Sequence, residues 1–221
     1  MSFERLSERH LPLVDAFHCV ESDELLSEFN AKERRRIKKH SEEMELFLKE
    51  EAYSEQELGM NTTYLFLDDK SGKILAYVSL CNDAINLEFH ERENEGITYG
   101  SAPALKIARL AVDVSAMRQG IGKHMIEFSA YQAQLIREHS GIFFLTLDCY
   151  AHRVSFYEAI GFVQNLIQPV VLPYDSPISM RMGLDIYLEK VGADEWRFWL
   201  VGNIKTDRAM EMCDGSDTSV K

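Results

Sequence analysis

One stretch near the middle of the chain constrains the fold most, because a predicted strand runs there into two glycines and then into an amphipathic segment. Residues 109–113 are Arg-Leu-Ala-Val-Asp, and residues 117–124 are Met-Arg-Gln-Gly-Ile-Gly-Lys-His. Strand, glycine turn and helix in this order expose backbone N–H groups at a helix N-terminus, an arrangement that binds phosphate. The stretch therefore predicts an anion-binding turn around which the rest of the domain is arranged.

A long helix and a hairpin are predicted before this stretch. Residues 30–58 contain neither glycine nor proline and space apolar side chains three and four residues apart, which predicts an amphipathic helix, with a break near Ser41 left open. Residues 62–67 and 73–80 are rich in β-branched and aromatic side chains and are separated by Asp-Asp-Lys-Ser-Gly. This pattern predicts a β-hairpin. A short helix is expected earlier, after Pro12.

Strand and helix patterns alternate around and after the glycine turn. Residues 83–103 are polar and glycine-containing, so they are predicted to form a mobile loop beside the site. The other predicted elements are a central strand over residues 105–114, a helix over 120–139, a strand over 142–147, a helix over 152–160 that ends at Gly161, and a strand over 178–188. This order predicts an α/β fold, a mixed sheet with helices on both faces.

Composition supports one domain. Hydrophobic residues make up 46% of the 221 residues, enough for a full core, and the domain is predicted to span residues 1–205 with a disordered tail over 206–221. Trp196 and Trp199 are expected to pack on the domain or on a second subunit, which leaves a homodimer open. The net charge of −12 disfavours a protein whose whole surface binds nucleic acid.

Two further features concern membranes and metals. No apolar run approaches the ~20 residues that span a membrane, and the N-terminus lacks a signal-peptide core. The four cysteines are scattered, without a histidine at metal-ligand spacing. A cytoplasmic protein with reduced thiols and no metal is therefore expected.

Residues 32–40 form a basic cluster in this acidic chain. A contact with RNA or another anion is one interpretation. A solvent-facing helix surface whose cations pair with neighbouring acids such as Glu33, Glu42 and Glu43 is the favoured one.

Three sequence segments together resemble the GNAT family of N-acetyltransferases. They are ARLAVD at residues 108–113, RQGIGK at 118–123 and LDCYAHRVSFYEAIGF at 147–162. The glycine turn alone is a weak pattern, because it matches neither the P-loop GxxxxGK[ST] nor the dinucleotide motif GxGxxG. The order and spacing of the segments are far more specific than any one of them.

The resemblance implies a mostly antiparallel sheet with splayed central strands and acetyl-CoA as cosubstrate. The pyrophosphate of CoA would lie on the turn residues, which are Arg118, Gln119, Gly120, Ile121, Gly122 and Lys123. Glycines let the backbone approach closely, and the two cations add charge, so the chemistry of the turn agrees. Backbone groups of Leu110, Ala111 and Val112 would pair with the pantetheine arm as an added strand does.

Tyr157 is the catalytic residue that the resemblance implies. It would act as the acid that protonates the departing CoA thiolate, and a phenol with an ordinary pKa of about 10 carries a proton at neutral pH. The alternative is a core aromatic side chain on an amphipathic helix. The base that takes the proton of the amine stays open among Asp83, Glu88, Glu91 and an ordered water.

The chain departs from the family pattern at two positions. Tyr150 and Arg153 stand where many relatives carry asparagine and alanine, so Arg153 is expected to contact a phosphate of CoA instead. Cys149 raises the alternative of an acyl-cysteine intermediate, but direct transfer is usual in the family, and a core-packing role is favoured.

The sequence thus predicts an acetyl-CoA-dependent N-acetyltransferase in which a primary amine of a small molecule or protein attacks the thioester directly. Within this hypothesis, an aminoacyl-tRNA acceptor, as in toxins of the same subgroup, is the second choice. The alternative from another class of function is a non-catalytic module that binds acyl-CoA or a partner protein.

Overall fold

The computed structural model describes residues 1–168 and 177–185, and the strands in this part form one seven-stranded sheet. The strands are β1 (Ser2–Arg5), β2 (Thr62–Leu67), β3 (Ile74–Asn86), β4 (Ser101–Val112), β5 (Phe144–Cys149), β6 (Val163–Gln164) and β7 (Ile178–Gly183). Their order is β1-β2-β3-β4-β5-β7-β6, and within it only β4 and β5 run parallel. This mixed, mostly antiparallel sheet confirms the predicted fold class.

Helices cover both faces of the sheet, because successive side chains of a strand point to opposite faces. The helices are α1 (Leu11–Val14), α2 (Ala31–Leu46), α3 (Ala52–Glu57), α4 (Phe89–Glu95), α5 (Ile121–Arg137) and α6 (Val154–Ile160). On one face, Val78 of β3 belongs to the same apolar cluster as Phe128 of α5. On the other, Tyr77 belongs to a cluster with Phe17 and Phe47.

The two parallel strands separate into a fork. β4 pairs with β5 only from Ala104 opposite Phe144 to Ile107 opposite Leu147. Beyond Ile107, β4 continues to Val112 and stays paired with β3 along its other edge. The edge of residues 108–112 that faces β5 is therefore open, and this confirms the splayed central strands that the family resemblance implied.

A β-bulge lies at the fork. Ser79 of β3 stands opposite Arg109, but the next residue, Leu80, stands opposite Ile107, so Ala108 is the extra residue of β4. A bulge of this kind bends a strand and changes the direction of the side chains that follow it.

The long predicted helix is interrupted at a different place from the one considered. α2 and α3 are joined by a π-helical turn over Phe47–Glu51, and the helix passes through Ser41 without a break. Asn30 caps α2 by accepting hydrogen bonds from the backbone N–H groups of Lys32 and Glu33. Strand β1 was not predicted, because its four residues are too few to show an alternation of apolar and polar side chains.

The prediction of a mobile loop over residues 83–103 is wrong. β3 extends to Asn86, α4 spans Phe89–Glu95, and β4 begins at Ser101. Glu91 is buried, and one of its carboxylate oxygens lies 2.6 Å from Arg181 Nη1. A buried ion pair between residues far apart in the chain gives no local signal, so the polar sequence was misleading.

The remaining elements follow the sequence prediction. The hairpin of β2 and β3, the helix α5, the strand β5 and the helix α6 are all present near their predicted bounds. Gly161 ends α6 with a φ of 125°, which favours glycine. Strand β7 covers the start of the strand predicted over residues 178–188, whereas residues 186–188, Trp196, Trp199 and the tail over 206–221 lie outside the described residues.

No helix in residues 1–168 and 177–185 is both long enough and apolar enough to cross a membrane.

Candidate active site

A cavity of about 380 Å³ opens at the fork between β4 and β5. Its walls are the free edge of β4, the glycine turn, the start of α6 and the segment before α2. The predicted site residues that line it are Leu110, Ala111, Val112, Arg118, Gly120, Gly122, Lys123, Arg153 and Tyr157. Gln119 and Ile121 are absent from the described lining: the Gln119 side chain donates to the carbonyl of Ser115, and Ile121 is buried in the core.

The glycine turn has the backbone conformation of an anion-binding helix N-terminus. Gly120 is the N-cap of α5 with a φ of 81°, and Arg118 has a φ of 59°. The first-turn N–H groups of a helix have no intrahelical partner, and here the first backbone bond runs from His124 N to Gly120 O. A Cβ on Gly122 would come within 3.3 Å of Phe156 Cζ, so glycine lets α6 approach the turn closely.

Asp113 fixes the turn to the end of β4. Its buried carboxylate accepts hydrogen bonds from Ser115 N at 3.0 Å, Lys73 Nζ at 2.8 Å and the backbone N–H of His18 at 3.2 Å. Burial by itself would raise the pKa of Asp113, but the hydrogen bonds from Lys73, Ser115 and His18 outweigh burial and lower it. The carboxylate therefore stays ionised and joins three segments of the chain at the base of the turn.

Tyr157 lies on α6 at the cavity wall. Its half-buried ring packs against Phe162, with ring centroids 5.7 Å apart. Burial, the largest influence, together with the nearby Cys149 raises the pKa of Tyr157 well above its ordinary value, although Arg153 opposes the shift. The phenol is therefore protonated at neutral pH.

Cys149 also lines the cavity, but its thiol is not activated. Burial raises its pKa to about 11, with further contributions from Asp148 and Glu158. The Sγ atom lies 3.5 Å from Met180 Sδ in the core. These surroundings favour the packing role over an acyl-cysteine.

Both arginines that were predicted to contact phosphate lie against the segment before α2. Arg118 Nη2 donates to the carbonyl of Leu25 at 3.0 Å, and Arg153 forms an ion pair with the buried Glu21. Glu21 also accepts a hydrogen bond from Ser41 Oγ at 2.6 Å. Residues 19–29, which we call the strap, line the cavity and are thus held by residues from the glycine turn, from the 3₁₀ turn before α6 (Ala151–Arg153) and from α2.

An aromatic wall in the cavity was not predicted. The rings of His40 and Tyr150 stack with centroids 3.4 Å apart and an interplanar angle of 2°, and His152 and Phe29 complete the wall. Burial, followed by the charge of Arg153, lowers the pKa of His152 to about 4, so this imidazole is neutral and a weak base at pH 7. The wall joins α2 to the loop after β5. The only feature of the sequence that could have indicated this wall was the departure from the family pattern at Tyr150.

The three predicted candidates for a base are not brought to the cavity. Asp83 accepts a hydrogen bond from Thr146 Oγ1 at 2.7 Å, Glu91 pairs with Arg181, and Glu88 caps α4. The carboxylates on the described cavity wall are instead Glu21, Glu28 and Asp148. No group of three or more histidine, cysteine or acidic side chains in the described ranges is arranged to hold a metal ion.

Fold and site together define a class of domain, in which a forked sheet opens beside a glycine turn at a helix N-terminus. Residues 61–164 match the family model described as acetyltransferase (GNAT) domain. Over this range the chain therefore matches the acetyltransferase (GNAT) domain, as the sequence motifs predicted.

Solved structures with the same fold include bacterial toxins. A tyrosine-to-phenylalanine variant of KacT is 17% identical with a TM-score of 0.65, and the match covers 86% of this chain and 98% of KacT. AtaT complexed with acetyl-methionyl-tRNAfMet is 18% identical with a TM-score of 0.60, covering 80% of this chain and 92% of that one. AtaTR bound with AcCoA is 18% identical with a TM-score of 0.59, covering 86% and 96%.

Replacing Asp113 by asparagine should lower the free energy of unfolding by about 1–3 kcal/mol at pH 7, because Lys73, Ser115 and His18 lose a charged acceptor at a buried position. The pKa of Asp113 is lower in the folded than in the unfolded chain, so its stabilisation is present above the unfolded value, ~3.9, and is lost as the pH falls through the folded value. Urea unfolding from pH 7 down to about pH 3 should show the two proteins converging in acid.

Asp15→Asn is the matched control, because Asp15 is exposed at the end of α1, and its effect should stay within about 0.5 kcal/mol. A constant difference between wild type and Asp113→Asn at every pH would contradict the role given to the charge.

Proposed function

We propose that this protein is an acetyl-CoA-dependent N-acetyltransferase in which a primary amine attacks the thioester directly and Tyr157 is the general acid. One observation carries the proposal: a single cavity connects the glycine turn, the open edge of β4 and the Tyr157 side chain. A phosphate-bearing arm and a reacting carbonyl can therefore be bound in one continuous site.

The residues present fit acetyl-CoA. The free N–H groups at the start of α5, with Arg118 and Lys123 beside them, suit the pyrophosphate. The open edge of Leu110, Ala111 and Val112 suits the two amides of pantetheine, which pair with a strand edge as backbone does. Gln119 and Ile121 would contribute backbone N–H groups only, because their side chains are engaged elsewhere. The crystal structure of AtaTR with AcCoA supports this choice of cosubstrate.

The reaction requires one bond to form and one to break. The neutral amine nitrogen attacks the thioester carbonyl carbon, the C–N bond forms, and the C–S bond breaks to release the CoA thiolate. Tyr157 gives its hydroxyl proton to the thiolate sulfur, and the proton lost by the amine restores the phenol through solvent. Burial disfavours the negative charge of a thiolate as well as that of a tyrosinate. A neutral phenol that donates its proton to the sulfur therefore assists the departure of CoA.

Arg153 would exchange one anion for another when acetyl-CoA binds. In the structure its partner is Glu21 of the strap, and a phosphate of CoA is the anion that we propose takes this place. Glu21 keeps the hydroxyl of Ser41 as a partner after the exchange. The strap then changes its contact with the 3₁₀ turn before α6 but stays attached to α2.

A small-molecule or protein amine is the acceptor that we favour over aminoacyl-tRNA. The basic cluster over residues 32–40 is partly neutralised, since Lys38 pairs with Asp23 at 2.9 Å and Lys39 with Glu43 at 3.7 Å. Lys32 and Arg35 are exposed on α2 and give the tRNA alternative its support, together with the complex of AtaT with acetyl-methionyl-tRNAfMet. Steeply salt-dependent binding of tRNA would favour that alternative.

Replacing Tyr157 by phenylalanine should lower kcat by about 10²–10⁴-fold, because the thiolate loses its proton donor while the ring still packs. The Kd of acetyl-CoA should stay nearly unchanged. Release of CoA thiol with a panel of amines measures the first quantity, and calorimetry measures the second.

Tyr64→Phe is the matched control, since Tyr64 is partly buried against the same core but is not on the cavity wall. An unchanged kcat in Tyr157→Phe would remove its role. If acetyl-CoA raises the Tm of the wild type but is never consumed with any amine, the non-catalytic module is the correct function instead.

Glu21→Gln should lower the Kd of acetyl-CoA by about two- to fivefold, because Arg153 no longer has to leave a charged partner. Arg153→Gln should raise that Kd. Calorimetry on both variants checks the two directions.

Asp23→Asn controls for loss of a strap carboxylate, as Asp23 is exposed and pairs with Lys38 outside the cavity. Weaker binding in Glu21→Gln as well as in Arg153→Gln would show that the ion pair shapes the site rather than competing with phosphate.

A further inference from the structure

Arg109 stands at the fork, where the reacting end of the cosubstrate would lie. It follows the bulge at Ala108 and lies two residues beyond Ile107, the last residue of β4 that pairs with β5. Its side chain is exposed and lines the cavity. At ~3.3 Å per residue, it lies about 10 Å along the strand from Val112, the end of β4 that meets the glycine turn.

The other arginines and lysines on the described cavity wall each pair with an acid or donate to another segment of the chain. Arg153 pairs with Glu21, Lys123 lies 3.6 Å from Glu127, and Arg118 donates to a carbonyl of the strap. Among the described residues, the guanidinium of Arg109 donates only to the carbonyl of Ala108, the preceding residue. Within the part of the chain that the structure describes, Arg109 has no acidic side chain within ion-pair distance.

Two irregularities of the backbone position this guanidinium. The bulge at Ala108 changes the direction of β4 immediately before Arg109. On the facing helix, the π-helical turn begins at Phe47, and Arg109 Cζ lies 5.2 Å from the centre of the Phe47 ring. A cation stacked on an aromatic face keeps its N–H edge free for a planar anion.

The anion for Arg109 cannot come from the cosubstrate under the proposed function. The phosphates of CoA belong at the glycine turn, at the far end of the open edge, and the pantetheine arm and acetyl group that reach the fork are uncharged. A guanidinium without an acid at this position therefore faces the second substrate.

We propose that Arg109 determines acceptor specificity by binding an anionic group, a carboxylate or a phosphate, carried by the same molecule as the reacting amine. Asp148 completes the arrangement, since it lines the cavity on the other arm of the fork and is held by Lys106 Nζ at 2.6 Å. The ammonium of the incoming acceptor would lie near this carboxylate and its anion on Arg109. This inference rests on the proposed function.

Matched amines test the proposal. Phenylalanine, phenylalaninamide and 2-phenylethylamine differ in the carboxylate, whereas O-phosphoethanolamine and ethanolamine differ in the phosphate. Wild type should acetylate at least one anionic amine with a higher kcat/KM than its uncharged counterpart. In Arg109→Gln, kcat/KM for that amine should fall about 10- to 100-fold, mainly through KM, and change less than about threefold for the counterpart.

Two further variants separate charge from packing. Arg109→Lys should recover part of the preference, because the charge remains but the planar fork is lost. Arg5→Gln, which changes an exposed arginine of β1 outside the cavity, should behave as wild type.

Equal losses for charged and uncharged amines in Arg109→Gln would overturn the proposal, as would a wild type that prefers the uncharged amines. Failure of the proposed function has a different signature, because wild type would then release no CoA thiol with any amine. The specificity proposal would fall with it.

Discussion

The buried carboxylate of Asp113 is the interaction on which the site depends. It accepts hydrogen bonds from Lys73 after the hairpin turn, from Ser115 at the start of the glycine turn and from the backbone of His18 before the strap. A charge with no exposed surface is tolerated only when its acceptor capacity is used by donors of this kind. The end of β4, the turn and the N-terminal segment are therefore fixed relative to one another at one point.

From that point the cavity extends along the open edge of β4. The helix α5 connects β4 to β5, as the connection between parallel strands requires. The two strands pair over four residues only, and the bulge at Ala108 lies just beyond the last pair. Residues 109–112 keep their pairing with β3 on one side and have no strand partner on the other within the described part of the chain. The strand thereby provides a binding edge inside the sheet without losing its place in the core.

The strand end, the glycine turn and the helix that carries Tyr157 were predictable from sequence, and the contacts that close the cavity around them were not. The strand end and the glycine turn are close in sequence, and residues 152–160 form a short helical pattern that ends at Gly161, so local spacing predicts each of these elements. The strap contact between Glu21 and Arg153 and the stack of His40 on Tyr150 join residues far apart in the chain. The error over residues 83–103 has the same cause, because its polar side chains are satisfied by tertiary partners such as Arg181.

The charged side chains of the cavity have different partners at the glycine turn and at the fork. At the turn and just before α6, three cations have partners that a phosphate can replace or share: a carbonyl for Arg118, a partly buried acid for Lys123 and the strap carboxylate for Arg153. At the fork, the acid Asp148 already has Lys106, and the cation Arg109 has only an aromatic ring and a carbonyl. A cosubstrate that carries its charges at one end satisfies the turn and leaves the fork to a second molecule. Under the proposed function, the fork would therefore select for a molecule that supplies an anion together with its amine.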